Sequence, residues 1–199
     1  MIKGVAFDMD GTLTRPVIDF GGLRRKLGIE SRIKPVYEQV MEMDDSNRDK
    51  ALAILESEEM AAAAKSEANP GLYELIDYLE RGSIRKGIFT RNSRPALELT
   101  LKLLHLSGRF APLVTREHKL KLKPEPDMIL HILEQWSLGP EEVLVVGDYE
   151  FDVMAGKAAN CRTVFLNHHP GKPAAVKADF EIHCLDELVG LIRELNGDA

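Results

Sequence analysis

Ile2-Lys3-Gly4-Val5-Ala6-Phe7-Asp8-Met9-Asp10-Gly11-Thr12 begins as a short apolar run and ends on two acids, a glycine and a threonine. Residues 2–7 read as a buried strand, since the run is short, partly β-branched and closed by turn-forming residues. The strand delivers Asp8 at its carboxyl end, and Gly11 then breaks the extended backbone. Two later segments repeat this grammar: Gly87-Ile88-Phe89 leads to Thr90, and residues 143–146 lead to Gly147-Asp148. Leu113-Val114 and residues 162–166 supply two more strands. Helical periodicity fills the intervals. Leu72, Leu75, Ile76 and Leu79 form one amphipathic face closed by Gly82, and Leu97, Leu101 and Leu104 form another behind Pro95. Further helices are predicted over 126–136, 153–159 and 186–195. Strands separated by helices of this length make a parallel sheet covered on both faces, because parallel strands need crossover connections. The expected fold class is therefore α/β, a Rossmann-like doubly wound sheet.

One stretch interrupts the alternation. Residues 14–69 show no strand pattern; a helix is expected over 35–43, and Ser46 opens a longer one by capping toward Asp49, with Leu52, Leu55 and Glu59 at helical spacing. This gives a core of 1–13 and 70–199 with a small α-helical cap inserted at 14–69.

Composition narrows the class of partner. The 199 residues carry 26 Lys+Arg against 32 Asp+Glu, a net charge of −6, and no long basic run to displace counterions from a duplex, so nucleic acid is not expected as a partner. The longest apolar stretch, residues 60–64, falls far below the roughly 18 residues a bilayer crossing needs, and an acid at Asp8 precludes a secretory h-region. A cytoplasmic monomer or small homo-oligomer is expected. Cys161 and Cys184 have no metal or redox spacing and read as buried reduced thiols.

In open α/β sheets ligands bind beyond the carboxyl ends of the strands. The residues there are Asp8, Asp10 and Gly11; Thr90, Arg91 and Asn92; Lys123 ahead of its helix; and Gly147, Asp148 and Asp152. Four carboxylates brought together repel one another unless cations are present, and an all-oxygen set suits Mg²⁺. An Asp can attack phosphorus while a second acid protonates the leaving alkoxide, and the spacing of Asp8 and Asp10 allows both roles on one side of an extended segment. Lys123 and Thr90 offer the positive charge and hydrogen bond that a transferring phosphoryl group requires.

With these residues in order, the chain resembles the haloacid dehalogenase superfamily, in its phosphoglycolate-phosphatase-like branch. Asp8-Met9-Asp10-Gly11-Thr12 resembles the first motif, Thr90 the second, Lys123-Pro124 the third, and Gly147-Asp148 with Asp152 the fourth. The resemblance implies Asp8 as nucleophile and Asp10 as general acid and base. It further implies Gly11, Thr90, Arg91, Asn92 and Lys123 around the substrate, and Mg²⁺ held by Asp8, Asp148 and the Asp10 carbonyl. Gly147 and Asp152 stand behind them, Asp152 orienting Lys123 or a metal-bound water. Two departures stand out: the insert of 56 residues is shorter than the family's usual helical cap, and Arg91 stands where many relatives carry Asn directly after the Thr. The implied activity is a Mg²⁺-dependent phosphatase acting on a small phosphorylated metabolite. The alternatives are a phosphomutase of the same superfamily and a phosphate-binding, receiver-like regulator; chain order and the 56-residue insert disfavour the receiver. His168-His169 lack a third nitrogen or sulfur ligand and read as loop residues, and Arg24-Arg25-Lys26 as a solvated helix face.

Overall fold

The computed structural model describes residues 1–31, 34–169 and 176–197. Strand β1 (Gly4–Phe7) is followed by three helices, α1 (Phe20–Leu27), α2 (Val36–Met41) and α3 (Asp45–Ala63). Then come α4 (Leu72–Arg81), β2 (Arg85–Phe89), α5 (Arg94–Leu103), β3 (Leu113–Val114) and α6 (Asp127–Trp136). The chain ends with β4 (Val143–Gly147), α7 (Glu150–Ala158), β5 (Arg162–Leu166), β6 (Phe180–Ile182) and α8 (Glu187–Asn196). All six strands pair in parallel in the order β3-β2-β1-β4-β5-β6. β1 and β4 therefore stand at the centre, and the residues following them are neighbours in space.

Both faces of the sheet are apolar, as two helical layers require. Val5, Phe7, Ile88, Leu144, Val146 and Val164 face α4, α5 and α8, packing on Leu75, Leu97 and Leu188. Their sequence neighbours Ala6, Phe89, Val143 and Val145 turn to the other side and pack with Ile129, Ile132, Trp136 and Ala155 of α6 and α7. The two-residue period of an extended strand thus makes two cores from one run of sequence. Full burial of a side chain the size of Phe7 contributes about 1.5–3 kcal/mol.

Helices α1–α3 leave and rejoin this sheet through a narrow stem. The Arg15 amide donates to Glu67 O at 2.9 Å, the Asn69 amide donates to Leu13 O at 3.0 Å, and Thr14 bridges Ala68. The segment has an apolar centre of its own, Leu23, Val36, Val40, Ala51 and Leu55.

The structure departs from the sequence expectations at four places. β6 was not foreseen, since three residues with only Ile182 buried carry too little pattern. α1 was not resolved as a separate helix, and its Gly21-Gly22 pair is a poor signal for one. The cap of α3 is Asp44, whose Oδ1 accepts from the Asn47 amide at 3.2 Å; Ser46 lies within the first turn and donates to Asp44 Oδ1 at 2.6 Å. Cys161 is buried as expected, and its thiol is pushed up to about 12 by burial, but Cys184 is only half-buried. No helix among the described residues is long and apolar enough to cross a membrane.

Candidate active site

β1 ends against β4, and the Asp8 amide continues the ladder by donating to Val146 O at 2.9 Å. This pins the Asp8 carboxylate at the centre of the sheet edge. The next turn is held tightly: the amides of Thr12, Leu13 and Thr14 all donate back to Met9 O. Buried Asn69 holds it from outside, its Nδ2 donating to the carbonyls of Gly11, Thr12 and Thr14 at 2.8–2.9 Å. His168, in the loop after β5, places Nε2 2.5 Å from Gly11 O. His168 thus braces this turn, and among the described residues it joins no cluster of metal-ligating side chains.

Lys123 reaches the same point from the loop ahead of α6. Its Nζ donates to Asp8 Oδ1 and to Asp152 Oδ1, each at 2.5 Å, and lies 4.8 Å from the centre of the Phe89 ring. Burial pulls the ammonium toward its neutral form, but Asp152 and Asp8 together outweigh that and hold its pKa above the ordinary lysine value. Asp152, on the first turn of α7, uses its other oxygen to accept from the Tyr149 amide at 3.0 Å. One side chain therefore both caps a helix and fixes the lysine. Gly147 permits this, because a Cβ there would stand 2.2 Å from the Cβ of Asp152.

Oxygens of Asp8, Asp148 and Asp152 all lie within 4.8 Å of one another. Thr12 Oγ1 donates to Asp148 Oδ1 at 3.0 Å. Gly11 has φ +86°, and a Cβ on it would fall 2.1 Å from Asp148 Oδ2, so the position demands glycine on both counts. Burial, then the charges of Asp8 and Asp152, push Asp148 up to about 8. Burial, opposed by Lys123, pushes Asp152 up to about 6. Three crowded carboxylates against one ammonium leave a deficit of positive charge, and a hard divalent cation with oxygen ligands fits that deficit.

Asp10 lies apart from that trio. Its Oδ2 accepts from Asn92 Nδ2 at 2.5 Å, while burial and the nearby Asp8 charge push its carboxyl up to about 7. Thr90 is buried after β2, and its Oγ1 accepts from the Asn92 amide at 3.2 Å. The fold therefore brings Asp8, Asp10, Gly11, Thr90, Asn92, Lys123, Gly147, Asp148 and Asp152 to one sheet edge. Asn92 contacts an acid rather than open space. Arg91 turns toward the inserted helices: its Nη1 donates to Glu38 Oε2 of α2 at 3.0 Å, and its guanidinium lies 5.1 Å from the centre of the Phe151 ring.

Sequence reasoning missed Glu38, Asn69 and the pair Glu59–Arg116. Glu59 is buried on α3, accepting from the Ser93 amide at 3.1 Å and from Arg116 Nη1. Arg116 also donates to Arg91 O at 3.2 Å and lies over the Tyr37 ring. The signal was present: Glu59 occupies an apolar position of the α3 pattern, one turn after Leu55. Arg24, Arg25 and Lys26 serve the insert itself, Arg24 donating to the carbonyls of Ser31 and Lys34, Arg25 lying 3.9 Å from Asp19, and Lys26 pairing with half-buried Glu58.

Comparison with known proteins bears on the family and the fold. The family model for haloacid dehalogenase-like hydrolases matches residues 24–166. An uncharacterized hydrolase of Saccharomyces cerevisiae is 32% identical over 206 residues, covering 100% of this chain and 94% of that protein. A haloacid dehalogenase-like hydrolase domain-containing protein of Arabidopsis thaliana is 32% identical over 214 residues, covering 99% and 86%. The crystal structure of a phosphatase of this superfamily from Thermococcus onnurineus superposes with a TM-score of 0.72 at 27% identity, over 96% of this chain and 98% of that one. The six-stranded parallel core, the acids at its central edge and these similarities make the chain a member of the haloacid dehalogenase-like hydrolases.

Proposed function

We propose that the protein is a Mg²⁺-dependent phosphomonoesterase that hydrolyses a small phosphorylated metabolite through an aspartyl phosphate on Asp8. The observation that carries this reading is the approach of Lys123 Nζ to Asp8 Oδ1 at 2.5 Å, within an acid cluster at the central strand ends. An ammonium has three donors and Lys123 spends two on Asp8 and Asp152, which leaves the third for a phosphoryl oxygen. Thr90 Oγ1 accepts from the Asn92 amide and keeps its own proton to donate to the same group. Asp8, Asp148 and the Asp10 carbonyl would hold the metal, which when bound offsets the negative charge of phosphate and carboxylates. Asp152 is already committed to Lys123 and the Tyr149 amide, so its part is to orient the lysine.

Asp8 attacks phosphorus as the ester oxygen leaves. Asp10, held at one oxygen by Asn92, gives the proton to that oxygen and later takes one from the water that attacks the aspartyl phosphate. Residues 14–69 act as a cap over the leaving-group side of the site, because Glu38 and Glu59 both reach the segment following Thr90.

The test is release of inorganic phosphate from an aryl phosphate with and without Mg²⁺, with Asp8→Asn as the blank. Phosphate release also separates a phosphatase from a mutase, which returns the phosphoryl group to an organic acceptor. Asp10→Asn is expected to lower kcat by about 10²–10⁴-fold, the usual worth of a positioned proton donor, and steady-state kinetics check it. Asp148→Asn is expected to raise the Mg²⁺ concentration for half-maximal rate by at least about tenfold. A metal titration that superposes on the wild type would remove Asp148 from the metal site.

A further inference from the structure

Among the described residues, only two side-chain polar atoms are buried without a hydrogen-bond partner: Arg91 Nη2 and Ser93 Oγ. Both fall in the four residues that follow β2, beside the site. A buried donor with nothing to receive its proton costs as much as a lost hydrogen bond. Ser93 is the first flanking residue of α5, where a serine hydroxyl ordinarily accepts from the first turn, yet here it makes no such bond. The Ser93 hydroxyl faces the Glu59 carboxylate, which leaves Arg91 Nη2 as the buried donor that a ligand would partner.

The charge at this place selects the ligand. Arg91 is flanked by Glu38 of α2, which takes Nη1 at 3.0 Å through Oε2, and the Phe151 ring covers the guanidinium. The pair is therefore neutral as it stands. It offers a donor at Nη2 and, beside it, the Glu38 carboxylate, which is about one-third exposed and whose Oε1 takes no hydrogen bond among the described residues. A second anionic group on the substrate would gain from Arg91 what it loses to Glu38, so the neutral pair gives it no net attraction. A hydroxyl both accepts and donates, so it answers a guanidinium donor and a neighbouring carboxylate alike.

Resting on the phosphatase reading above, we infer that the Arg91–Glu38 pair is the specificity-determining contact of the site, and that it binds a hydroxyl of an uncharged polyol or sugar leaving group. The phosphoryl group is engaged by Thr90 and Lys123; the leaving group lies toward the cap, where Arg91 turns. The substrate is then a phosphate monoester of a polyhydroxy compound rather than a phosphorylated acid.

The experiment measures dissociation constants on Asp8→Asn protein with Mg²⁺ for three probes: glycerol phosphate, phenyl phosphate and phosphoglycolate. Binding needs no turnover, so an absence of hydrolysis in the wild type counts against the phosphatase reading, and an absence of discrimination counts against this one. Arg91→Gln is expected to weaken glycerol phosphate relative to phenyl phosphate by about ten- to a hundredfold, the worth of a hydrogen bond to a charged group. Glu38→Gln keeps an acceptor for Arg91 but removes the charge; it is expected to weaken the same ratio and to tighten phosphoglycolate relative to phenyl phosphate. Two results would overturn the assignment. Either all three probes weaken together in both variants, as a merely structural or phosphate-directed Arg91 would give, or phosphoglycolate alone weakens in Arg91→Gln. Circular dichroism confirms that each variant is folded, and Glu38→Gln decides the question if Arg91→Gln is not.

Discussion

Asp8→Asn is expected to lower kcat for phosphate-ester hydrolysis by about 10⁴- to 10⁶-fold, the scale on which loss of a nucleophile acts. The amide is isosteric with the carboxylate and its carbonyl can still accept from Lys123, so the loss reports chemistry and not collapse of the site. The substitution also removes one negative charge from a group of acids in which burial, and then repulsion from Asp8 and Asp152, already push Asp148 up to about 8. Thermal stability is therefore expected to hold or to rise slightly. Wild-type protein quenched during turnover of a radiolabelled substrate should carry acid-stable, base-labile phosphate, and Asp8→Asn should carry none. A variant within tenfold of wild type, or label that persists in it, would move the nucleophile elsewhere.

Glu59→Ala is expected to cost about 3–5 kcal/mol of stability, because it leaves a charge buried without its partner. The side chains of Arg116 and Glu59 are 9% and 4% exposed, so water cannot replace the lost carboxylate unless Arg116 moves. Burial itself pushes the Glu59 carboxyl upward, against the pull of Arg116, which shows how closely the two depend on one another. The same carboxylate accepts from the Ser93 amide at the start of α5, so its loss loosens the joint between α3 and the sheet as well. For a chain of this length the expected drop in Tm is about 10 °C, read by thermal or urea unfolding. Glu59→Gln retains an acceptor and should lose less. An unchanged Tm in Glu59→Ala would mean that Arg116 swings to solvent at little cost and that the pair does not hold the inserted helices down.

Much of the architecture is legible in local pattern. Alternation of short apolar runs with amphipathic helices predicts the parallel sheet, because burying both faces of each strand requires it. The motif residues announce themselves by lying just past those runs, as Asp8, Thr90 and Asp148 do. Three-residue β6 escapes for the converse reason, having one buried side chain and hence no period to detect. Glu59 was visible only as an acid in an apolar register, and nothing local distinguishes such a residue from a solvated one until its partner is known.

Sequence by itself therefore determined the alternation that builds the sheet and the order of the motif residues, since these follow from short-range periodicity and residue type. Tertiary structure alone decided which charges meet. Lys123 reaches Asp8 across 115 positions, Arg116 reaches Glu59 across 57, and Arg91 reaches Glu38 across 53. Such pairs leave no local pattern, because their partners are selected by the packing of the strands and helices that carry them, and by the high cost of leaving a buried charge alone.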